Sequence, residues 1–422
     1  MSDRAYQIRM VEDVRAAWAR GVEAVLLQLP TGGGKTHTAA SIIAAEPGPV
    51  VFAAHLDSLV GDTAARLRRA GVRCGIVAPW APAEPEHAVQ VASLATLHAR
   101  RLAPPAELVI VDECHRSAAR SIAAWLRRYV GKRWLGLTAT PQRGDGAPLG
   151  DLFDVMVQGP TVAELMAAGH LCPYTLLCPP SARGDGVAEL HRHAARWTRA
   201  LYFAETLAAG ADAAARLRAL GYAVEEIYGD TPRDQREAVR ARFRAGATQV
   251  LVGVGVFIEG FDEPTADAVV LDAPFGTVGR YLQAVGRGLR PAPEKTGLLI
   301  LDVRGAVHTH GLPDEGRVWS LSGEASTRTE PGMRIATCPT CFAVFRAGPK
   351  ACPRCGGQVT EAHEYQRTPT REERLVEYAK LDIGTRRQKY YHAMMRLALS
   401  RFHMSVPSAE KYATKKALEK FP

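Results

Sequence analysis

The sequence predicts an α/β protein: two lobes built on parallel sheets, then a small four-cysteine module and a basic helical tail. Three observations carry that prediction. Between 24 and 140, short apolar runs (AVLLQL, VVFAAH, AVQVAS, ELVIVDE, RWLGLTAT) are separated by stretches of helical periodicity. The same alternation returns between 174 and 303 (YTLLCPP, ALYFAET, AVEEIYG, QVLVGVGV, ADAVVLDA, GLLILDV). Continuous apolar strands between helices mark a parallel sheet covered on both faces. Third, four of the eight cysteines fall between 338 and 355 as two C-x2-C pairs.

A chain of 422 residues exceeds one ordinary core. The pattern divides it into a first lobe, 1–155, a second lobe, 156–305, a connector, 306–332, a ribbon, 333–360, and the tail, 361–422. QRGDGAPLGDLFD (142–154) begins the passage between the lobes, and PTVAELMAAGHL reads as a short helix leading into the second. The connector is rich in Gly, Pro and Ser. No repeat at solenoid spacing is present.

Composition is that of a globular protein, 47% apolar and 23% charged, with a net charge of +9. The positive balance favours an anionic partner, nucleic acid first; arginine-rich genomic usage is the alternative. The start, MSDRAYQIRM, has no apolar core or cleavage site, so no signal peptide is expected. The longest apolar run, VLVGVGVFI (250–258), is far below the roughly 20 residues that span a membrane. Four scattered cysteines (Cys74, Cys114, Cys172, Cys178) and four clustered ones suit a reducing compartment with one metal site. The expected setting is the cytoplasm, at the nucleoid of a bacterium or under a phage.

Three motifs carry chemistry. QLPTGGGKTH (28–37) looks like a phosphate-binding loop, but the pattern G-x-x-x-x-G-K-[ST] asks for glycine where Leu29 stands. An apolar strand runs into the loop and a helix follows, the setting of a phosphate cradle. Thr31, Gly32, Gly33 and Gly34 would bring backbone N–H groups to the phosphates. Lys35 would place its ammonium between the β and γ positions, and the Thr36 hydroxyl would ligate Mg²⁺. VIVDECHR (109–116) delivers Asp112 and Glu113 at the C-terminal end of a buried strand, where α/β sheets bind ligands. Asp112 suits Mg²⁺ through water, and Glu113 the attacking water. YLQAVGRGLRP (281–291) puts Gln283, Arg287 and Arg290 on one helix face, suited to γ-phosphate charge; a solvated basic face is the alternative.

Taken in order, YQ (Tyr6, Gln7), PTGGGKT, DECH, LTATPQR, EGFDEP and QAVGRGLR resemble the motif series of a superfamily 2 helicase or translocase of the DExH type. The resemblance covers roughly 4–303. It is closest to the RadD-like and UvsW-like group, related to restriction-enzyme motor subunits; HGLPDEGRVWSL before the cysteine cluster is a RadD-like touch. It implies two RecA-like lobes with ATP and Mg²⁺ in the cleft, and it does not require the first glycine. By resemblance Gln7 reads adenine, with Arg4 or Tyr6 helping to hold the base. Thr138 and Thr140 couple the ATP site to strand binding, and Gly260 and Asp262 sense nucleotide. Arg287 and Arg290 are the arginine fingers, and His115 bridges to the second lobe through Gln283. Asp57, Ser58, Ala92 and Gly279 depart from residues usual in strand-contacting segments.

Cys338, Cys341, Cys352 and Cys355 supply four thiolates for a closed, structural Zn²⁺ site. The tail interleaves Arg386, Arg387, Lys389, Arg396 and Arg401 with Tyr390, Tyr391 and Phe402, then adds Lys411, Lys415, Lys416 and Lys420. That suits phosphate contact and base stacking; an amphipathic helix packing on a lobe is an equal alternative. The expected protein is a monomeric ATP hydrolase driving a helicase or translocase, with DNA favoured over RNA by the resemblance alone. Repair, recombination or branched-DNA processing is the expected setting. The alternatives are a restriction or defence motor, an ATP-gated zinc-containing DNA clamp, and an RNA helicase. A protein partner would dock through the ribbon or the tail.

Overall fold

The computed structural model describes residues 3–55, 57–82, 84–116, 120–143, 147–179, 184–258, 261–323, 327–328 and 334–359, with isolated positions 391 and 413–414. Residues 1–367 form one compact unit and 368–422 another. Both lobes and the ribbon belong to the first unit. The basic helical tail expected from the sequence lies outside the described residues, those three positions apart.

The first lobe is one sheet of seven parallel strands: β1 (Ala24–Gln28), β2 (Val50–Ala54), β3 (Gly75–Val77), β4 (Val89–Ser93), β5 (Leu108–Asp112), β6 (Arg133–Thr138) and β7 (Val155–Gln158), in the order β3-β4-β2-β5-β6-β1-β7. All five residues of β1 and of β2 are buried. Side chains alternate between the faces. Val25, Leu27 and Phe52 meet the helices Ala5–Ala19, Lys35–Ala44 and Asp57–Arg69 through Met10, Val14, Ile43 and Leu67. Leu26, Val51 and Val109 meet Leu97, Trp125 and Tyr129 on the other face. Burial on both faces is why these strands read as unbroken apolar runs.

The second lobe repeats the plan. Its strands β8 (Tyr174–Leu177), β9 (Ala200–Ala204), β10 (Val224–Ile227), β11 (Val250–Gly253), β12 (Ala268–Asp272) and β13 (Leu298–Leu301) pair in parallel in the order β10-β11-β9-β12-β13-β8. The helices Gly186–Arg192 and Leu207–Ala219 cover one face; Arg233–Arg244, Val278–Gly288 and Ala306–His310 cover the other. The short helix expected between the lobes is Val162–Ala167. It opens on a capping box in which Thr161 Oγ1 accepts from the Glu164 amide at 3.2 Å and Glu164 accepts from the Thr161 amide at 2.7 Å. β7 pairs with β1, so the first sheet reaches residue 158.

After β13 the chain is more ordered than its composition implies. His310 stacks on Tyr281 with centroids 5.6 Å apart, and its Nε2 lies 2.6 Å from the Phe275 carbonyl of the second lobe. The chain then returns to the first lobe. The Arg317 carbonyl accepts from Gln158 Nε2 at 3.4 Å and the Leu321 carbonyl from the Gly150 amide at 2.9 Å. β14 (Arg317–Val318) pairs with β15 (Thr327–Arg328). The antiparallel hairpin of β16 (Ile335–Thr337) and β17 (Val344–Arg346) begins the ribbon. It docks on β8, the edge strand of the second sheet, through a bridge between Leu177 and Ala343 and a 2.8 Å hydrogen bond from the Cys178 amide to the Phe342 carbonyl. No helix among the described residues is long and apolar enough to cross a membrane.

Candidate active site

The phosphate loop joins β1 to the helix Lys35–Ala44. Gly32 and Gly34 have φ of +88° and +93°, a conformation glycine adopts without strain. A Cβ at Gly34 would stand 2.6 Å from Gln7 Nε2, and one at Gly33 would stand 2.7 Å from Leu29 Cγ. Leu29 is fully buried. Where the pattern asks for glycine, this chain places a core leucine under the loop, and the Gly33 amide closes the turn on the Pro30 carbonyl at 2.9 Å. Three residues at the start of the chain support the loop. Tyr6 Oη donates to the Gly33 carbonyl at 2.6 Å, Arg4 Nη1 to Tyr6 Oη at 3.1 Å, and the Arg4 amide to Gln7 Oε1 at 2.9 Å. Lys35 and Thr36 open the helix.

Facing the loop, β5 ends at Asp112. Glu113 follows with φ +49°, a left-handed conformation that costs a residue with a side chain and turns Glu113 back toward the loop. Glu113 Oε1 lies 4.0 Å from Lys35 Nζ, and Asp112 Oδ1 accepts from the Glu113 amide at 3.0 Å. Burial pushes Asp112 up to about 6, helped by the Glu113 carboxylate, while Lys35, the Glu113 amide and Arg66 pull the other way. A buried carboxylate in that state is a fit partner for a divalent cation. From Glu113 a polar chain runs inward: Oε2 is 3.5 Å from His115 Nδ1, which is 3.0 Å from Thr138 Oγ1, which accepts from the Thr140 amide at 3.1 Å.

The second lobe lies directly on these groups because the helix Val278–Gly288 carries two glycines there. A Cβ at Gly279 would stand 3.0 Å from Thr140 Oγ1, and one at Gly286 only 2.5 Å from Thr31 Cβ. Gly279, a departure from the usual motif, is thus what lets this helix approach Thr140. Gln283 is buried between them on the helix, and its Nε2 has no hydrogen-bond partner among the described residues. The two arginines take different places. Arg287 is buried and donates to the carbonyls of Ile258 and Phe261, each at 3.1 Å, inside its own lobe. Arg290 overlies the phosphate loop: its Cγ is 3.2 Å from the place of a Gly32 Cβ, and its Nη1 pairs with Asp262. Burial, then the charge of Arg66, brings Arg290 down to about 10. Gly260 lies outside the described residues. The neighbouring Glu263 is buried against Arg240 and Arg244, each at 2.6 Å.

Two residues of the site escape sequence reasoning. Arg66, on the helix Asp57–Arg69 of the first lobe, pairs with Asp262 of the second. Lys295 Nζ points at four carbonyls: Pro264 at 3.1 Å, Ala266 at 2.6 Å, Arg290 at 2.9 Å and Gly288. It ties the end of the helix Val278–Gly288, and Arg290 just beyond it, to the segment after Asp262. Neither has a local signal, since the partners that define each role lie in other segments. Of the other departures, Ala92 is fully buried opposite Ala53 in the sheet and Asp57 opens its helix.

In the ribbon, one sulfur from each of Cys338, Cys341, Cys352 and Cys355 lies within 4.8 Å of the others. Cys338 and Cys355 Sγ are 3.6 Å apart, Cys341 and Cys352 Sγ 3.7 Å. A Zn–S distance of about 2.3 Å puts the sulfurs of a regular tetrahedron about 3.8 Å apart. Burial opposes ionisation of Cys338, but the Cys341 and Thr340 amides and neighbouring thiols outweigh it and bring the thiol down to about 6. Arg354 Nη1 donates to the Cys341 carbonyl at 3.2 Å, so cationic charge stands beside the four thiols.

Known proteins are similar to this chain in sequence and fold. Residues 1–143 match the family of the type III restriction enzyme res subunit, and residues 185–292 match the helicase conserved C-terminal domain. A 51.5 kDa protein of a Lactococcus phage (isolate 7-9) is 27% identical over 399 residues, covering 87% of this chain and 85% of its own length. The DNA 3'-5' translocase XPB2 of Sulfurisphaera tokodaii is 24% identical over 361 residues, covering 70% of this chain and 80% of its own. The fold is shared with the ATP-dependent type ISP restriction-modification enzyme LlaBIII bound to DNA (TM-score 0.55, 16% identity, 72% of this chain and 28% of that one). It is also shared with S. cerevisiae Dbp5 bound to RNA and ADP BeF3 (TM-score 0.54, 15% identity, 73% of this chain and 89% of that one). The two family matches fall on the two lobes, and the motifs meet at the cleft between them: the chain belongs to the superfamily 2 helicases and translocases.

Proposed function

We propose that the chain is an ATP-driven DNA translocase. The observation that carries this reading is the closed cleft, where Lys35 and Glu113 of the first lobe stand opposite Arg290 and Asp262 of the second. Lys35 and the loop amides bind the phosphates of ATP. Glu113, held by its left-handed backbone beside Lys35 and His115, orients the attacking water and takes its proton. Arg290 offsets charge on the terminal phosphate, and Arg287 holds the carbonyls of Ile258 and Phe261 behind it. Thr36, and Asp112 through water, would hold Mg²⁺, which supplies charge neutralisation between the phosphates. The polar chain from Glu113 through His115 and Thr138 to Thr140 ends at the second lobe, so hydrolysis has a physical route to lobe movement. Gln7 would read adenine, with Arg4 or Tyr6, which hydrogen-bond beside the phosphate loop, helping to hold the base. The four thiols have the spacing of structural Zn²⁺, and the ribbon it would fold caps the edge of the second sheet.

DNA is favoured over RNA because a relative similar over 70% of this chain and 80% of its own length is a DNA translocase. Phosphate contact by the ribbon and tail, a cytoplasmic site, a monomeric state and a setting in repair or recombination complete this reading. A second reading, the motor of a restriction or defence complex whose cutter is another chain, draws on the family match over 1–143. The test is ATP hydrolysis by the full chain with single-stranded, duplex, forked and four-way DNA and with RNA. Stimulation by DNA forms above RNA is expected; stimulation by RNA alone would replace DNA with RNA as the track.

A further inference from the structure

We propose that Arg66 is a positioning residue of the ATP site, contributed by the first lobe, which sets Arg290 over the phosphate loop by sharing the Asp262 carboxylate with it. Each oxygen of Asp262 takes one guanidinium: Oδ2 pairs with Arg66 Nη2 and Oδ1 with Arg290 Nη1. Arg290 in turn overlies Gly32. The bridge crosses the cleft, since Arg66 belongs to the helix Asp57–Arg69 and Asp262 to the second lobe. It is held there by its surroundings. Asp62, one turn earlier on the same helix face, pairs with Arg240 of the second lobe at 3.4 Å. Arg233 of that lobe stacks on Trp80 of the first, 4.0 Å from the ring centroid, with its Nη2 over Gly61.

Charge gives Arg66 its purpose. Asp112, Glu113 and Asp262 are three carboxylates around a site that must accept polyphosphate; Lys35 and Arg290 are two cations. Arg66 is the third. Burial lowers the Arg66 guanidinium, with Asp62 and then Asp112 pulling the other way, and Arg66 is the smallest of the influences that favour ionised Asp112, so the two lie within one field. Arg66 is also about one-third exposed, 36% by side chain, which leaves it free to re-pair. A terminal phosphate arriving at Arg290 competes with Asp262 for that guanidinium. Arg66 keeps Asp262 compensated during the exchange, so Arg290 can turn to the phosphate without stranding a carboxylate. The role is therefore specific to the third phosphate and to an aligned cleft.

The inference rests on ATP hydrolysis at this site and is tested on the full chain with Arg66→Ala and Arg66→Lys. Affinities for ADP and for the slowly hydrolysed analogue ATPγS are measured beside steady-state kinetics, with melting curves as control. Arg66→Ala is expected to lower kcat about 100-fold, the scale of a misaligned catalytic group, and to raise KM for ATP in step with the loss of ATPγS affinity. It should weaken ATPγS binding and leave ADP binding unchanged; Arg66→Lys should recover part of both losses. Wild-type kcat in Arg66→Ala, or equal weakening for ADP and ATPγS, overturns the role of Arg66. If Arg66→Ala does not fold, the ATPγS-to-ADP affinity ratio of Arg66→Lys decides in the same way. A wild-type chain that hydrolyses no ATP with any DNA overturns the proposed function instead, a separable result.

Discussion

Glu113 and Lys35 lie 4.0 Å apart, and under the proposed mechanism their substitutions should separate binding from turnover. Lys35→Ala removes phosphate charge compensation and is expected to abolish both nucleotide binding and hydrolysis. Glu113→Gln keeps the loop's cation and is expected to bind ATP while turnover stops. Normal turnover in Glu113→Gln would remove Glu113 from the mechanism. The two arginines of the second lobe should part company. Arg290→Ala is expected to lower kcat by about 10³-fold, the scale of a lost arginine finger. Arg287→Ala leaves the buried carbonyls of Ile258 and Phe261 without their donor, at a cost of about 1–3 kcal/mol each, so it should lower Tm more than Arg290→Ala. Melting and kinetics on the pair check this; equal Tm would mean Arg287 is no support. Helical spacing predicts Gln283, Arg287 and Arg290 on one face, but the helix ends at Gly288, so Arg287 stays on it while Arg290 lies beyond its end and turns over the loop. The carbonyls that hold Arg287, those of 258 and 261, lie in a different segment.

Lys295 gives the site a pH dependence with two signs. Burial pushes its ammonium down to about 8. An unfolded lysine keeps its proton to about 10.4, so between those values the unfolded chain binds more protons, and this group's contribution to stability rises with pH. Activity is expected to run the other way, because a neutral amine has fewer and weaker donors to tie the carbonyls of Gly288 and Arg290 to those of Pro264 and Ala266. Hydrolysis is expected to fall as pH rises through about 8, and Lys295→Met should lose that limb along with the matching slope of stability against pH. A limb that persists in Lys295→Met assigns it to another group.

At the scale of elements, the strands are legible in the sequence because each core strand is buried on both faces and reads as an apolar run. β1, β2, β5, β9 and β12 fall on the runs expected. The segment 306–321 has the composition of a connector, yet it docks His310 on the second lobe and Leu321 on the first. Its partners are single long-range contacts, which leave no periodicity. The ribbon is legible from thiol spacing alone, but its seat on β8 is not, because an edge strand carries no mark of what covers it. That seat changes what a truncation does. Removing 361–422 leaves the edge covered; removing 333–422 uncovers it along with Cys178 and Leu177. The shorter deletion is expected to keep Tm and basal ATPase while flattening the salt dependence of DNA binding, as basic residues leave. The longer one should lower Tm, and Cys352→Ser or a strong chelator should reproduce part of that loss. A ribbon deletion with unchanged Tm would show that the cap contributes nothing to the lobe.

At the scale of the whole molecule, two sheets present their C-terminal edges to one cleft, and the bridges across it join charge to motion. Gly279 on Thr140, Gly286 on Thr31 and Arg66 with Asp262 join the two lobes across the cleft. Such a cleft must open and close with each hydrolysis if the chain moves along DNA. A clamp would hydrolyse ATP too, so ATPase does not separate the two. Triplex displacement does: a third strand bound ahead of the protein on duplex DNA is displaced only by directional movement. The chain is expected to displace it with ATP, and neither with ATPγS nor as Glu113→Gln. A wild-type chain whose ATPase is stimulated by the same duplex but which leaves the third strand in place would contradict translocation.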